Sequence, residues 1–253
     1  MIVREVRGPD EAVLVEELQI VTWGRNEREV VPRGMLIATQ MQGGLLAGAF
    51  EEGEMIGFVL GFPTSRSTVQ HSHMLAVTPA ARGRGVALAL KRYQREWCLE
   101  RGIDIVEWTF DPLRVVNAHF NLHRLGATVR RYLPHLYGEM SGINAGVDSD
   151  RVLASWNLVS EHVERAVRGE RPRPGGLGVV INEDAPHGFD RATLGPRLLV
   201  RIPEDFGEIV REDREAARAW RRHGRDVLSH LFEEGYAITD FSREANAHVL
   251  TRV

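Results

Sequence analysis

Val77-Thr78-Pro79-Ala80-Ala81-Arg82-Gly83-Arg84-Gly85-Val86-Ala87 is the stretch that decides how the chain is read. It joins a strand-like run, His71 to Val77, to a helix with Val86, Leu90, Tyr93 and Trp97 on one face and Gly102 at its end. A helix N-terminus leaves backbone amides without intrahelical partners and carries partial positive charge. Glycines before it let the main chain approach a ligand closely, and Arg82 and Arg84 add charge at the same mouth. Such a junction suits an anion, above all a phosphate. The P-loop pattern is excluded, because it needs a lysine and the sole lysine is Lys91. A dinucleotide fingerprint would need a third glycine where Leu88 stands, and would open the fold instead of following several strands.

Outward from this junction the pattern alternates. Ile2 to Val6 reads as a strand, and Pro9-Asp10 opens a helix with Leu14, Leu18 and Val21 on one face. A second helix is expected from Pro32 to Met41, ended by Gly43-Gly44. Leu45 to Phe50 and Met55 to Phe62 flank the turn Glu51-Glu52-Gly53-Glu54 as a hairpin that Pro63 closes. After the junction come a strand at Ile103 to Thr109, a helix at Val115 to Leu125 capped by Gly126, and an extended run from Ala127 to Tyr137. Ser141 to Asp150 reads as a linker by composition. Beyond it, Arg151 to Leu158 is a strand followed by a short helix, and Leu198 to Ile202 is another strand. A helical stretch from Glu204 to Glu234 is expected to break near Gly224, and strands follow at Ala237 to Phe241 and Ala247 to Thr251.

The 253 residues, 43% hydrophobic and 26% charged, suffice for a packed core and exclude a disordered or fibrous chain. Nothing approaches the roughly 18 apolar residues of a membrane span, and the start, with acid and base early, does not read as a signal peptide. The single Cys98 excludes an intramolecular disulfide. A net charge of −3 supplies no basic surplus for nucleic acid. The expectation is a soluble, cytoplasmic protein without nucleic-acid or membrane partners.

In this setting Arg82-x-x-Gly85-x-Ala87 resembles the [Q/R]-x-x-G-x-[G/A] motif of the GNAT superfamily of N-acetyltransferases. The hairpin with Met55-Ile56-Gly57-Phe58, the run Met74 to Pro79 and the ending Leu122-His-Arg-Leu125-Gly126-Ala127 are similar to that family's elements in their order. The resemblance covers a little over half the chain. It implies an α/β (α+β) fold: a GNAT-like mixed, mostly antiparallel sheet flanked by helices. Residues 1–140 would form an acyl-CoA-binding domain, 141–150 a linker and 151–253 a C-terminal α/β extension. It implies acetyl-CoA, or another acyl-CoA, as co-substrate and no metal. Main-chain groups of Leu75, Ala76 and Val77 would pair with the pantetheine arm. Amides of Arg82, Gly83, Arg84, Gly85, Val86 and Ala87 would hold the diphosphate, and Asn117 would contact the pantetheine or adenylate side. The thioester would sit in a gap bordered by Leu75 and by Trp108 to Asp111.

Two positions depart from the family pattern. Leu122 stands where many relatives carry the tyrosine that protonates the leaving thiolate, with Tyr132 or Tyr137 as substitutes from the next strand. Asn117 lies about two residues closer to the glycine than the family's asparagine does. Amine attack on a thioester needs a neutral amine and a stabilised oxyanion, not a covalent enzyme intermediate. The candidate catalytic residues are therefore Glu107, His73 and Tyr132, with Asp111 a further carboxylate that serves equally as a turn residue before Pro112. His73 alternates with Leu75 and Val77 and is expected on their side of the sheet.

The remaining features read both ways. His71-Ser72-His73 has strand spacing for a metal, but no carboxylate or cysteine cluster supports one. Cys98 reads as packing. Arg221, Arg222, His223 and Arg225 beside Trp220 read as a solvated helix face, or as a grip for an acidic acceptor or a succinyl-type donor. The arginine-proline loop at 171–174 is a linker, or closes over a CoA phosphate. Asn121 to Tyr132 and Ser229 to Asp240 share a helix–glycine–strand pattern, so the C-terminal half reads as a degenerate second GNAT-like unit or as a chance echo. Lacking the Arg-x-x-Gly-x-Ala loop, it would wall the acceptor pocket or form a homodimer contact. The expected function is transfer of an acyl group, acetyl first, to a primary amine of a small molecule such as an amino acid. The alternatives are succinyl transfer and non-catalytic acyl-CoA binding.

Overall fold

The computed structural model describes residues 1–24, 30–138, 146–170 and 178–253. The expected loop at 171–174 and positions 141–145 of the expected linker lie outside them. The chain divides into two compact units, Met1–Trp108 with Asn157–Val159, and Thr109–Trp156 with Ser160–Val253.

The first unit holds β1 (Ile2–Glu5), α1 (Gly8–Trp23), α2 (Arg33–Met41), β2 (Leu45–Glu51), β3 (Glu54–Pro63), β4 (Val69–Val77), α3 (Val86–Leu99) and the start of β5 (Ile105–Phe110). Its strands lie in the order β1-β2-β3-β4-β5, all antiparallel neighbours except the parallel pair β4–β5. The β2–β3 hairpin closes through Glu52 and Gly53, both at positive φ (52° and 91°). That turn matches the twist of the strands it joins. From Leu45 to Phe50 every residue of β2 is buried, as expected of a strand covered on both faces. One face packs on α1 and α2 through Val15, Leu18, Leu36, Leu46, Phe58, Leu60 and Ala76. On the other face lies α3, and Gly57 permits the approach: a Cβ there would stand 2.8 Å from the Ala76 carbonyl oxygen and 3.1 Å from Val86 Cγ1.

The expected face of α1 is rotated. Ala12, Val15, Leu18 and Gln19 are buried, whereas Val21 is 61% exposed. Gln19 explains the rotation: its amide bonds both backbone groups of Val31, accepting from the N–H at 2.8 Å and donating to the carbonyl at 3.2 Å. A polar side chain thereby takes an inward position that apolar counting leaves to solvent.

The second unit holds α4 (Val115–Ala118), which continues as a π-helical segment (His119–Arg124), then β6 (Thr128–Leu133), β7 (Arg151–Asn157), α5 (Glu161–Arg168), β8 (Val179–Val180), β9 (Arg197–Arg201), α6 (Phe206–Glu212), α7 (Arg214–Glu233), β10 (Tyr236–Ser242) and β11 (Ala247–Arg252). Its strand order is β7-β6-β10-β11-β9-β8. The strand after Gly126 is shorter than the extended run expected to Tyr137, ending at Leu133 before a turn with His135 at φ 49°. The helical break falls at Asp213, not near Gly224. Asp213 caps α7, its Oδ1 accepting from the amides of Glu215 (3.0 Å) and Ala216 (2.9 Å). Gly224 sits inside the helix, where a Cβ would stand 3.2 Å from Leu113 Cδ2. In each echoed segment a left-handed glycine, Gly126 or Gly235, follows the helical part and leads into β6 or β10, which pair with each other.

Candidate active site

β4 changes face midway. Its pairing with β3 steps from Leu60–Met74 to Gly61–Ser72, leaving His73 as an extra, bulged residue. Before the bulge, Gln70 and Ser72 point at α3 and meet Gln94. After it, Met74 and Ala76 belong to the core under α1 and α2. Val77 lies opposite Gly57, on the α3 side. His73 instead stacks near Phe62 (5.5 Å) and His71 (6.1 Å), and is exposed. The expected alignment of His73 with Leu75 and Val77 is therefore corrected, because the bulge inverts the alternation between them.

Beyond Val77 the chain passes through a 3₁₀ turn (Pro79–Ala81) into the arginine-glycine loop. Arg82, Gly83, Arg84 and Gly85 are all exposed, and Val86 and Ala87 begin α3. Gly85 is the N-cap of α3, at φ 83°, and no side chain caps the helix there. Nothing lies within 4 Å of where a Cβ would stand on Gly83 or Gly85. The loop is thus open at its two glycines, as an anion site needs, but the Arg82 N–H donates to the Pro79 carbonyl at 3.3 Å, which corrects the expectation that this amide is free for the diphosphate. Arg84 reaches back to Glu51, its Nη2 2.7 and 2.8 Å from the two carboxylate oxygens.

The parallel ladder between β4 and β5 runs only from Val69–Ile105 to His71–Glu107. At its end Glu107 pairs with Arg66, and His71 stacks on Phe62 at 5.0 Å. Partial burial, with the neighbouring His73, holds the His71 imidazole below the usual histidine range, so it is neutral at pH 7.

Directly past the last ladder pair lies a buried polar group that the sequence reading missed. Lys91 is 2% exposed. Its Nζ donates to Ser72 Oγ (3.0 Å) and Gln94 Oε1 (2.9 Å) and lies 4.0 Å from the centroid of the Trp108 ring. Gln94 donates onward to Gln70 Oε1 at 2.6 Å. Gly61 makes room for this chain, since a Cβ there would come 2.5 Å from Gln70 Oε1. Desolvation pulls the Lys91 amine down to about 7. The signal was present as spacing: Lys91, Gln94 and Cys98 fall at i, i+3 and i+7, a second stripe beside the apolar one. Cys98, whose thiol burial pushes up to about 12, is packed as expected and is no nucleophile.

The other candidates belong to the second unit. Asn117 is exposed on α4, and Leu122 is buried in the π-helical segment. Tyr132 donates its hydroxyl to Asp150 Oδ2 at 2.8 Å; burial and that carboxylate push the phenol upward. Tyr137 shares a 2.8 Å hydrogen bond with Thr109 Oγ1. Asp111 is buried and held by both arms of Arg221, each N–O distance 2.8 Å. Burial pushes its carboxyl up, and the Arg221 guanidinium more than reverses the shift. Arg221 is 3% exposed, so the solvated-face reading fails for it: it grips a carboxylate of its own chain. Arg225 likewise grips Asp148 and Asp150. Asp150, inside the stretch read as a linker, is fully buried. Among the described residues no group of three or more His, Cys, Asp or Glu side chains is placed to hold a metal ion.

The sequence model described as "Acetyltransferase (GNAT) family" matches residues 15–126. The chain carries a GNAT domain. An aminoglycoside 6'-N-acetyltransferase complexed with coenzyme A shares its fold at 16% identity, over 64% of this chain and 99% of that one, with a TM-score of 0.51. So does a protein from Salmonella typhimurium solved with its cofactor acetyl-CoA (17% identity, 64% and 95% coverage, TM-score 0.52). The ribosomal-protein-S18-alanine N-acetyltransferase from Escherichia coli does likewise (11% identity, 63% and 94% coverage, TM-score 0.51). At these identities the likeness is one of fold. No curated protein matches the chain. The GNAT match includes the bulged strand, the arginine-glycine loop and α3, and ends at Gly126.

Proposed function

We propose that the protein is an acyl-CoA N-acyltransferase, moving an acyl group, acetyl first, to a primary amine of a small molecule such as an amino acid. The observation that carries this reading is the open, uncapped N-terminus of α3 behind Gly83 and Gly85, at the end of a bulged strand in a GNAT domain. Its amides, with Arg82, fit the diphosphate of CoA, and Arg84 would join them by exchanging its Glu51 partner for the ligand. The free edge of β4 at Leu75, Ala76 and Val77, past the end of the β4–β5 ladder, suits the amide groups of the pantetheine arm. The coenzyme supplies an activated thioester.

The chain's part is to orient that carbonyl, to take a proton from the incoming amine and to see the thiolate protonated. Glu107 and His73, beside the end of the ladder, are the proton acceptors in this reading, and neutral His71 joins them. Tyr132 is the phenol candidate for the thiolate, although its hydroxyl is committed to Asp150. Asn117 is kept for the pantetheine or adenylate side. Residues 1–140 would act as the acyl-CoA-binding domain and 151–253 as its extension.

The test is to incubate the protein with acetyl-CoA and mixed amines and to identify the acylated product by mass. Buried Leu122 at the family's tyrosine position favours a second reading, an acyl-CoA-binding protein without turnover. Stoichiometric CoA binding with no thiol release over a broad amine panel would select it. For the succinyl reading, Arg221 and Arg225 are engaged by Asp111, Asp148 and Asp150, which leaves Arg222 of that cluster.

A further inference from the structure

Of the arginines at 221, 222 and 225, two are neutralised by carboxylates, and Arg222 has no such partner among the described residues. Arg222 is exposed and opens onto a cavity of about 470 Å³ within the second unit. Arg191, His223, Asp226, Phe189 and His187 also line it. The volume falls in the range of small-molecule sites. Among the described residues neither Arg222, Arg191 nor Asp226 has an ion-pair partner. Arg222 and Asp226 are one turn apart on α7, both facing the cavity. The guanidinium carbon of Arg191 lies 4.6 Å from the centre of the Phe189 ring, which forms an apolar wall.

His223 makes this a built site. It is 6% exposed, and its tautomer is fixed from behind. Asn182 accepts from the Arg201 amide through Oδ1 (2.8 Å) and donates through Nδ2 to the Arg201 carbonyl (2.9 Å), which sets the orientation of its amide. Nδ2 therefore also donates to His223 Nε2 at 3.1 Å. The ring proton must then sit on Nδ1, and His223 is one of the residues that line the cavity. Desolvation lowers the pKa of the ring, so at pH 7 it presents a neutral N–H donor.

We propose that this cavity binds a small amino- or hydroxy-carboxylate, its carboxylate held by Arg222, Arg191 and the His223 Nδ1–H, and its ammonium or hydroxyl by Asp226. Guanidinium forks match a carboxylate, and the His223 N–H adds a third donor. Asp226 needs a donor from the ligand and repels a second dense negative charge, so a phosphate dianion fits less well. Phe189 covers the carbon skeleton.

Isothermal titration of the full protein with L-malate, L-glutamate, succinate and inorganic phosphate tests this. L-malate or L-glutamate binds, and succinate, lacking the hydroxyl or ammonium, binds about tenfold more weakly. R222A weakens malate or glutamate at least about tenfold, as does R191A, for loss of a charge-assisted bond. D226N removes the preference over succinate. Arg222 has no ion-pair partner among the described residues to lose, and an unchanged melting temperature verifies the fold. An unchanged acetyl-CoA affinity in R222A separates this site from the acyl-donor site. No heat from malate or glutamate at millimolar concentration, phosphate binding as tightly as either, or wild-type affinity in both R222A and R191A would overturn the proposal.

Discussion

The amine of Lys91 lies 4.0 Å from the centroid of the Trp108 ring, buried between α3 and the last paired residues of β4 and β5. It is the chain's only lysine, and it ties Ser72 and Gln94 into one polar group at the point where the two strands cease to pair. A lysine amine there is desolvated on all sides and is half protonated near pH 7.

Stability follows from that shift. The unfolded lysine titrates near ~10.4, so above pH 7 the unfolded chain holds a proton that the native state has released. Stability therefore rises with pH across this window, by at most about 1.4 kcal/mol per pH unit. Below pH 7 the native state carries the buried charge. K91M is expected to flatten the slope, gaining most on wild type at acid pH and least near pH 10. Melting curves across pH check it, and parallel wild-type and K91M profiles would contradict the burial.

Gly85 carries a second prediction. At φ 83° with open space at its Cβ, it tolerates a side chain sterically at a backbone cost of about 1–2 kcal/mol. G85E puts a carboxylate where the diphosphate would lie, so CoA affinity is expected to fall at least about tenfold while the circular dichroism stays native. Titration calorimetry measures the first, and an unchanged affinity removes the loop from the site.

The Asp111–Arg221 pair is buried on both sides. R221M leaves the carboxylate with the Leu113 amide (3.0 Å) and Arg114 at 4.0 Å, and is expected to cost about 3 kcal/mol. The folded-state pKa of Asp111 lies below its unfolded value, so its contribution is present at neutral pH and lost as pH falls through the folded value. The variant should therefore lose its deficit relative to wild type in strong acid. Denaturant midpoints at neutral and acid pH read both effects, and a deficit that persists undiminished in acid would contradict the pairing.

Glu107 and His73 are distinguished by rate. If Glu107 takes the proton, E107Q flattens the acid limb of the kcat/KM profile. If the limb survives in E107Q and vanishes in H73A, the histidine has that role. Loss from neither variant would contradict a side-chain base at the end of the ladder.

The order of elements through β6 was legible because it rests on local signals: the hairpin turn at Glu52-Gly53, the period of α3, the glycines that end helices. What was not legible is set by partners distant in the chain. The bulge at His73 is a property of pairing with β3, and no residue in β4 announces it. Arg221 looked like surface because Asp111 lies 110 residues away. Lys91 stood in plain view, but a lysine on a helix is read as solvated unless its neighbours on other elements are known. The course of the chain through the arginine-glycine loop was readable, since it rests on two glycines and a helix start that are neighbours in sequence.

The most direct measurement is a CoA titration of the nitrogen-15-labelled protein followed by amide resonances. The amides of Gly83 to Ala87 should shift first and furthest, with Leu75, Ala76 and Val77 next. Saturation of binding with those amides unmoved would contradict the account at its centre.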